Sequence, residues 1–279
     1  MIRLVINADD LGLHPAIDEG ILEAHREGLL TSATVLAMGP NAADAVARAR
    51  AQGLALGLHL CLSTRLPPAA PAGAVPTVAP GGRMRQAWSD VAAARARGQL
   101  DLAEVEREFR AQLQRLRDLG AEPDHLDGHQ HLHLLPGIAA VVGRIARDHG
   151  LPVRWPRELP EPSWLRRPGP ALKTAILAGL SFATSATVPR GVRRVRGWGV
   201  YDAGGLSEAR LLHLLDRLPP GDHELGCHPG HAPSDVPEEP GWRYGWELEL
   251  AALCSPKARA KVEARGIQLT TYAGLTGRG

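Results

Sequence analysis

The chain has 279 residues, of which 44% are hydrophobic and 22% are charged, a balance typical of a globular protein that buries a core. The formal net charge of +2 is too small to indicate nucleic-acid binding by charge alone. Three cysteines, Cys61, Cys227 and Cys254, are too few for a disulfide framework and indicate a reducing, cytoplasmic compartment. The most apolar long stretch, 171–188, contains Lys173 and five hydroxyl residues, so we expect no transmembrane helix and no targeting segment.

The first part of the chain alternates short apolar runs with amphipathic patterns. The runs at 4–6, 33–38 and 54–62 predict strands, and the patterns at 15–27 and 41–52 predict the helices between them. Strands that alternate with helices are typical of βαβ units, so an α/β fold with a parallel sheet is expected.

Two stretches interrupt this alternation. Five prolines fall within 65–82, which predicts a long loop inside a loop insertion at 64–100, and loops of this kind often bind ligands. The stretch 156–205 matches no regular pattern and is expected to be irregular. We interpret 1–279 as one domain that carries both stretches. The remaining patterns predict helices at 101–119, 136–149, 207–218 and 256–265, and strands at 125–127, 152–155, 224–227 and 267–272.

Histidine provides the most informative chemical pattern. Four of the twelve histidines are His125, His129, His131 and His133. Other polar groups also follow apolar runs. Because the carboxyl ends of parallel strands meet at one end of a sheet or barrel, these groups are expected to converge there. They are Asp9 and Asp10, His59, the 125–133 cluster, and His228.

These residue types suit a metal-dependent hydrolase. Two imidazoles and one carboxylate leave open positions on a divalent ion, which can activate water and polarise a carbonyl. A second carboxylate could accept the proton of the water, and a histidine could protonate the leaving group. Structural interpretations stay open: Asp9 and Asp10 could form a turn, His59 could be a core histidine, and His131 and His133 could hold a turn.

Five short motifs, in the same order, resemble those of the YdjC-like carbohydrate deacetylases, the family of the chitooligosaccharide deacetylases. The resemblance extends from Leu4 to about His228, with a plausible tail to Tyr272. As an ordered set the motifs are specific, although each alone is weak. They are Asn7-Ala8-Asp9-Asp10-Leu11-Gly12, Thr31-Ser32-Ala33-Thr34, Gly57-Leu58-His59-Leu60, His125-Leu126-Asp127-Gly128-His129 through His133, and Cys227-His228-Pro229.

The resemblance implies a distorted (β/α) TIM-like barrel related to the polysaccharide deacetylase fold. It also implies hydrolysis of an N-acetyl group on an amino sugar with one divalent ion, Mg²⁺ or Zn²⁺. By the same resemblance the ion ligands would be Asp10, His59 and His129, Asp9 would be the general base, and His228 the general acid.

Three more positions follow from the resemblance, and two positions depart from it. Asp127 and His133 would support the ligands or contact substrate, and Arg154 would orient the base. The family often has an aromatic residue where this chain has Leu11 and a serine where it has Gly128. Neither departure removes a ligand, so both concern substrate contacts.

Several alternatives remain at this level. The chain could be another metal-dependent hydrolase, such as a phosphoesterase, or a metal-binding homologue without catalysis. The substrate could be a free chitooligosaccharide or a glycolipid, and a homodimer is one option for the assembly. We expect 65–82 and 155–205 to wall the substrate groove. The stretch 171–188 could contact an apolar aglycone or a membrane surface, with a buried helix or a subunit contact as the favoured alternative.

Overall fold

This computed structural model describes residues 1–158, 164, 167–232 and 244–277. Eight parallel strands lie in this part of the chain. In chain order they are β1 (Ile2–Leu11), β2 (Ser32–Val35), β3 (Ala55–Leu60), β4 (Leu126–Gly128), β5 (Val153–Pro156), β6 (Arg194–Trp198), β7 (Gly221–Cys227) and β8 (Ile267–Leu269).

The first seven strands form a closed barrel. Their order is β2-β3-β4-β5-β6-β7-β1, and the pairing of β1 with β2 closes the ring. The eighth strand pairs with the first half of β1 at residues 2–4, and β2 pairs with its second half at residues 7–11. The prediction of an α/β barrel is therefore confirmed, and all seven strands direct their carboxyl ends to one rim.

Helices cover the barrel, and their ends follow familiar capping chemistry. The Asp101 side chain accepts the Ala103 N–H at the start of one helix, and Ser207 caps another in the same way. No helix among the described residues is long and apolar enough to cross a membrane. The helices are α1 (Pro15–Glu27), α2 (Ala42–Ala51), α3 (Trp88–Ala96), α4 (Leu102–Asp118), α5 (Ile138–His149), α6 (Pro168–Thr184), α7 (Glu208–Arg217), α8 (Trp246–Leu253), α9 (Pro256–Ala264) and α10 (Tyr272–Thr276).

The two interrupted stretches contain more regular structure than expected. The interpretation of 156–205 as irregular is wrong for its described part, because α6 and β6 both lie there. In β6 an exposed Arg194 alternates with a buried Val195, and the arginines obscure the strand pattern. The loop insertion at 64–100 contains α3, and its first part, 65–82, has only two 3₁₀ turns.

A bulge in β1 places two adjacent acidic residues at the barrel rim. Between Ala8 and Leu11 this strand has one residue more than its partner β2, and Asp10 adopts a positive φ of 69°. Adjacent side chains on a regular strand point to opposite faces. The bulge and the left-handed residue allow Asp9 and Asp10 both to be buried at the same rim, each only 5% exposed.

Candidate metal centre and active site

The three predicted ligands come together from three strand ends. Asp10 Oδ1 lies 2.8 Å from His129 Nδ1 and 3.3 Å from His59 Nε2. One potential ligand atom from each of the three residues lies within 4.8 Å of the others. All three side chains are buried, so few waters compete with them for a cation.

The charge state of Asp10 suits a divalent ion. Burial would raise the pKa of Asp10, but His129 and His59 hold it well below its usual value. A metal ligand must be deprotonated, and Asp10 is therefore ready to bind. Two imidazole nitrogens and a carboxylate oxygen are a donor set that zinc accepts, and magnesium can use the carboxylate with additional waters.

The orientation of His59 is fixed from behind. Its Nδ1 lies 2.6 Å from Asp127 Oδ1, and the other oxygen of Asp127 accepts the Thr34 hydroxyl at 3.0 Å. Burial would lower the pKa of His59, but Asp127, Asp9 and Asp10 raise it well above its usual value. Its Nε2 faces Asp10, and binding of an ion there would release the proton of that nitrogen. Partners of this kind set the tautomer and the ring angle of histidine ligands in metalloenzymes. Asp127 thus lies where a supporting residue was predicted.

Asp9 is held by Arg154 through a two-pronged ion pair. The Nη1 and Nη2 atoms of Arg154 each lie 2.6 Å from an oxygen of Asp9. Burial would raise the pKa of Asp9, but Arg154, with His59 and His228, lowers it below the usual carboxyl range. Asp9 is therefore ionised near neutral pH, and its orientation is set by the planar guanidinium.

Arg154 is itself anchored on several sides. Its Nε donates to Glu224 Oε1 at 2.7 Å, and its Nη2 lies 2.9 Å from Asp127 Oδ2. The backbone oxygen of Arg154 lies 3.2 Å from His133 Nε2. Burial, together with Arg154, lowers the pKa of His133 to about 4 despite the opposing effect of Asp127. This imidazole is neutral at pH 7 and acts as a hydrogen-bond donor to Arg154.

Glu224 is a residue that the sequence reasoning missed. It lies on β7, is fully buried, and also accepts a hydrogen bond from the Tyr272 hydroxyl. A charged residue inside a predicted strand was the available signal, because such a residue is rarely buried without a partner.

His228 lies across from Asp9. Its Nε2 is 3.8 Å from Asp9 Oδ2, and its side chain is 13% exposed. The backbone N–H of His228 donates to Glu249 Oε2 at 2.6 Å. The imidazole ring of His228 packs on the Tyr244 ring, with centroids 4.5 Å apart. Glu249 is a second missed residue, because the apolar sequence of α8 gave no amphipathic pattern.

The histidine cluster divides between the site and the scaffold. His131 adopts a left-handed conformation with Gln130, and it borders the same small cavity as Asp9 and His228. His125 instead lies beside Asp124 and stacks on Tyr272, with ring centroids 3.8 Å apart.

Gly128, one of the two departures from the family pattern, has a structural reason in this chain. A Cβ at this position would lie 2.6 Å from His133 Nδ1, which is closer than real contacts allow. The absence of a side chain lets His133 pack against the strand end and reach Arg154.

A barrel rim with paired aspartates, two converging histidines and an opposed histidine has the construction of a hydrolase site. A family model for YdjC-like proteins matches residues 3–264. A carbohydrate deacetylase from Mus musculus is 34% identical over 96% of this chain and 93% of its own length. A chitooligosaccharide deacetylase from Klebsiella pneumoniae (strain 342) is 30% identical over 96% and 97%. The chain therefore belongs to the YdjC-like family.

A solved structure shares the fold over nearly the whole chain. The crystal structure of a "putative cellobiose-phosphate cleavage protein" from Enterococcus faecalis V583 is 29% identical, covers 98% of each chain, and has a TM-score of 0.78. The prediction of an enzyme of the carbohydrate deacetylase class is confirmed at the level of the family.

Proposed function

We propose that this chain hydrolyses the N-acetyl group of an amino sugar with the help of one divalent ion, Mg²⁺ or Zn²⁺. The observation that carries the proposal is the position of Asp9. Its ionised carboxylate lies beside the group formed by Asp10, His59 and His129, and it faces His228 across 3.8 Å. The names of the relatives, carbohydrate deacetylase and chitooligosaccharide deacetylase, support the same chemistry.

Each residue has a distinct task in this proposal. Asp10, His59 and His129 would hold the ion, which when bound supplies water activation and polarisation of the amide carbonyl. Asp9 accepts the proton of the attacking water through a carboxylate oxygen. Arg154 keeps that carboxylate ionised and oriented.

The other half of the reaction falls to His228. An amine leaves an amide only after it is protonated, and His228 Nε2 supplies that proton from the opposite side of the site. Glu249 and Tyr244 hold the loop and the ring of His228 in place. Transfer of one proton to Asp9 and one from His228 gives acetic acid and the free amine, and the acetic acid then loses its proton to solvent to give acetate.

Arg154 also bears on the phosphoesterase alternative. Two-metal phosphoesterases need further carboxylates free at the strand ends. Here the guanidinium lies within 2.9 Å of Asp9, Asp127 and Glu224. A buried cation already compensates these three carboxylates, so a second metal ion is disfavoured at the described rim.

Acetate release from N-acetylglucosamine oligomers tests the proposal directly. The metal-loaded chain should release acetate, a chelator should stop release, and added Mg²⁺ or Zn²⁺ should restore it. Asp9→Asn should lower turnover about 10²–10⁴-fold, the usual contribution of a general base, and Asp44→Asn on exposed α2 should leave it unchanged. Turnover of a phosphomonoester without acetate release would favour the alternative, and metal binding without any turnover would indicate a non-catalytic homologue.

Two further expectations remain predictions. A cytoplasmic location rests on cysteine usage, and the three cysteines are free thiols in the structure. A homodimer is untested, and light scattering of the purified chain would measure it.

A further inference from the structure

Helix α6 buries hydroxyl residues together with Leu177 and exposes several large apolar residues. The hydroxyl residues Thr174 and Ser181 are 2% and 0% exposed. Leu172, Ile176 and Phe182 face outwards and are 63%, 53% and 79% exposed. A helix on the surface of a globular protein normally places its apolar side against the core. This arrangement leaves the apolar side of α6 for something outside the described fold.

The exposed residues form one continuous surface. They recur at intervals of three and four, which places them along one side of the helix. Lys173 is also exposed on this helix, but the other exposed positions from 172 to 183 are apolar residues or glycine. Contiguous exposed apolar surface commonly marks a place of interaction. We call this surface the apolar stripe; its residues are Leu172, Ala175, Ile176, Gly179, Phe182 and Ala183.

The sequence on either side of the stripe carries only basic charges. The stretch 162–201 contains seven arginines and lysines and no aspartate or glutamate, although the whole chain is nearly neutral. Arg167 and Arg190 are exposed near the two ends of the helix. Arg193 shares Asp222 with Arg3, so its charge is partly compensated. An apolar helix side with basic flanks is typical of a helix that lies on an anionic membrane.

The helix that carries the stripe packs on elements of the candidate active site. Helix α6 packs on β5, where Trp155 Nε1 donates to the Ser181 carbonyl at 2.9 Å, and on the 129–134 segment. A surface seated on the stripe would therefore lie on the same side of the barrel as β5 and the 129–134 segment, which carry Arg154 and His129.

We propose that the apolar stripe seats this protein on an anionic phospholipid surface, and that its substrate is an N-acetylated amino sugar carried on a lipid anchor. The substrate half rests on the proposed deacetylase function, and the membrane half does not. A second copy of the chain is the poorer occupant. A two-fold contact would place each basic stretch against itself, with no acidic residue within 162–201 to compensate it.

Co-sedimentation of the full metal-loaded chain with vesicles tests the membrane half without any substrate. The chain should bind vesicles of phosphatidylglycerol and phosphatidylcholine, and binding should weaken with added salt and with phosphatidylcholine alone. Phe182→Ser should lower partitioning about tenfold or more, since each buried methylene counts. Arg190→Ser should lower it about fivefold. Leu248→Ser, which changes a 46% exposed leucine on α8, should bind as the wild type does.

Three results would overturn the membrane half. They are a wild-type chain that stays in the supernatant at low salt, a Phe182→Ser variant that binds fully, and an equal loss in Leu248→Ser. A wild-type dimer that Phe182→Ser converts to monomer would assign the stripe to a second copy instead.

A paired activity assay tests the substrate half. Acetate release is measured from an N-acetylglucosaminyl lipid in anionic vesicles and from a short soluble chitooligosaccharide. Phe182→Ser should lower the first rate about tenfold and leave the second unchanged. Equal rates for variant and wild type on the vesicle substrate would overturn the lipid-anchored substrate. No acetate from either substrate would refute the proposed deacetylase, while sedimentation would still decide the membrane half.

Discussion

Replacement of Arg154 by lysine changes a residue that has three buried acidic partners in the candidate site. Arg154 contacts three buried carboxylates, Asp9, Asp127 and Glu224, and is itself 2% exposed. A lysine ammonium is a point charge with a shorter reach, so it cannot keep the two-pronged contact and the others together. At least one carboxylate is then left buried without a partner. Breaking a buried pair in this way costs about 3–5 kcal/mol.

The expected free energy of unfolding therefore falls by about 3–5 kcal/mol, a large share of a typical total of about 5–15 kcal/mol. Urea unfolding followed by circular dichroism measures the change. Arg144→Lys is the matched control, because Arg144 pairs with Glu106 on the surface with its side chain 41% exposed. That control should change stability by less than about 1 kcal/mol. Equal stability of Arg154→Lys and the wild type would refute the reasoning.

The same variant changes the dependence on pH. In the folded wild type the pKa of Asp9 lies below its ordinary value. Asp9 therefore contributes stability above the unfolded carboxyl pKa near ~4 and loses that contribution as the pH falls towards the folded value. In Arg154→Lys the pKa of Asp9 rises, so stability changes less steeply below pH ~4. The acid limb of kcat/KM should move to higher pH, with turnover lower by about 10–100-fold; an unmoved limb would contradict this.

Three further predictions follow from the site. Gly128→Ala should lower the free energy of unfolding by about 1–3 kcal/mol, because its Cβ would lie 2.6 Å from His133 Nδ1; Gly73→Ala, with nothing within 4 Å, is the control in urea titration. His228→Ala should remove the alkaline limb of the pH–rate profile and slow amide substrates more than esters with good leaving groups. The control His149→Ala should change neither the profile nor the amide-to-ester ratio. Equal slowing of amides and esters by His228→Ala would indicate a structural role. Chelation should lower the Tm in calorimetry, since an ion at a hundred times its Kd stabilises the fold by about 2.7 kcal/mol, and an unchanged Tm would argue against a bound ion.

Local patterns predicted the parallel α/β sheet and the end at which its polar residues meet, and the family resemblance implied that the sheet closes into a barrel. Strand–helix alternation is visible in the first 62 residues, and the residues that follow apolar runs must meet at one end of parallel strands. Asp10, His59 and His129 lie together for that reason. Their roles at an ion remain a proposal.

Features that depend on distant packing were not predictable. Neither Glu224 nor Glu249 belongs to a sequence motif. Their roles depend on the fold, which brings Glu224 to Arg154 and Glu249 to His228. A buried helix at 171–188 was among the favoured alternatives, and its burial was wrong because Leu172, Ile176 and Phe182 of α6 face outwards. Strand β6 was missed because its arginines reach solvent from a strand whose other positions are buried.

Metal content measured together with acetate release tests the central claim most directly. Purified wild type, His59→Ala and Asp9→Asn are equilibrated with Zn²⁺ or Mg²⁺, and the bound ion per chain is determined by titration. The account predicts one ion per chain for the wild type and for Asp9→Asn, little or none for His59→Ala, and acetate release at full rate from the wild type alone. Full binding by His59→Ala, two ions in the wild type, or full turnover by Asp9→Asn would contradict it.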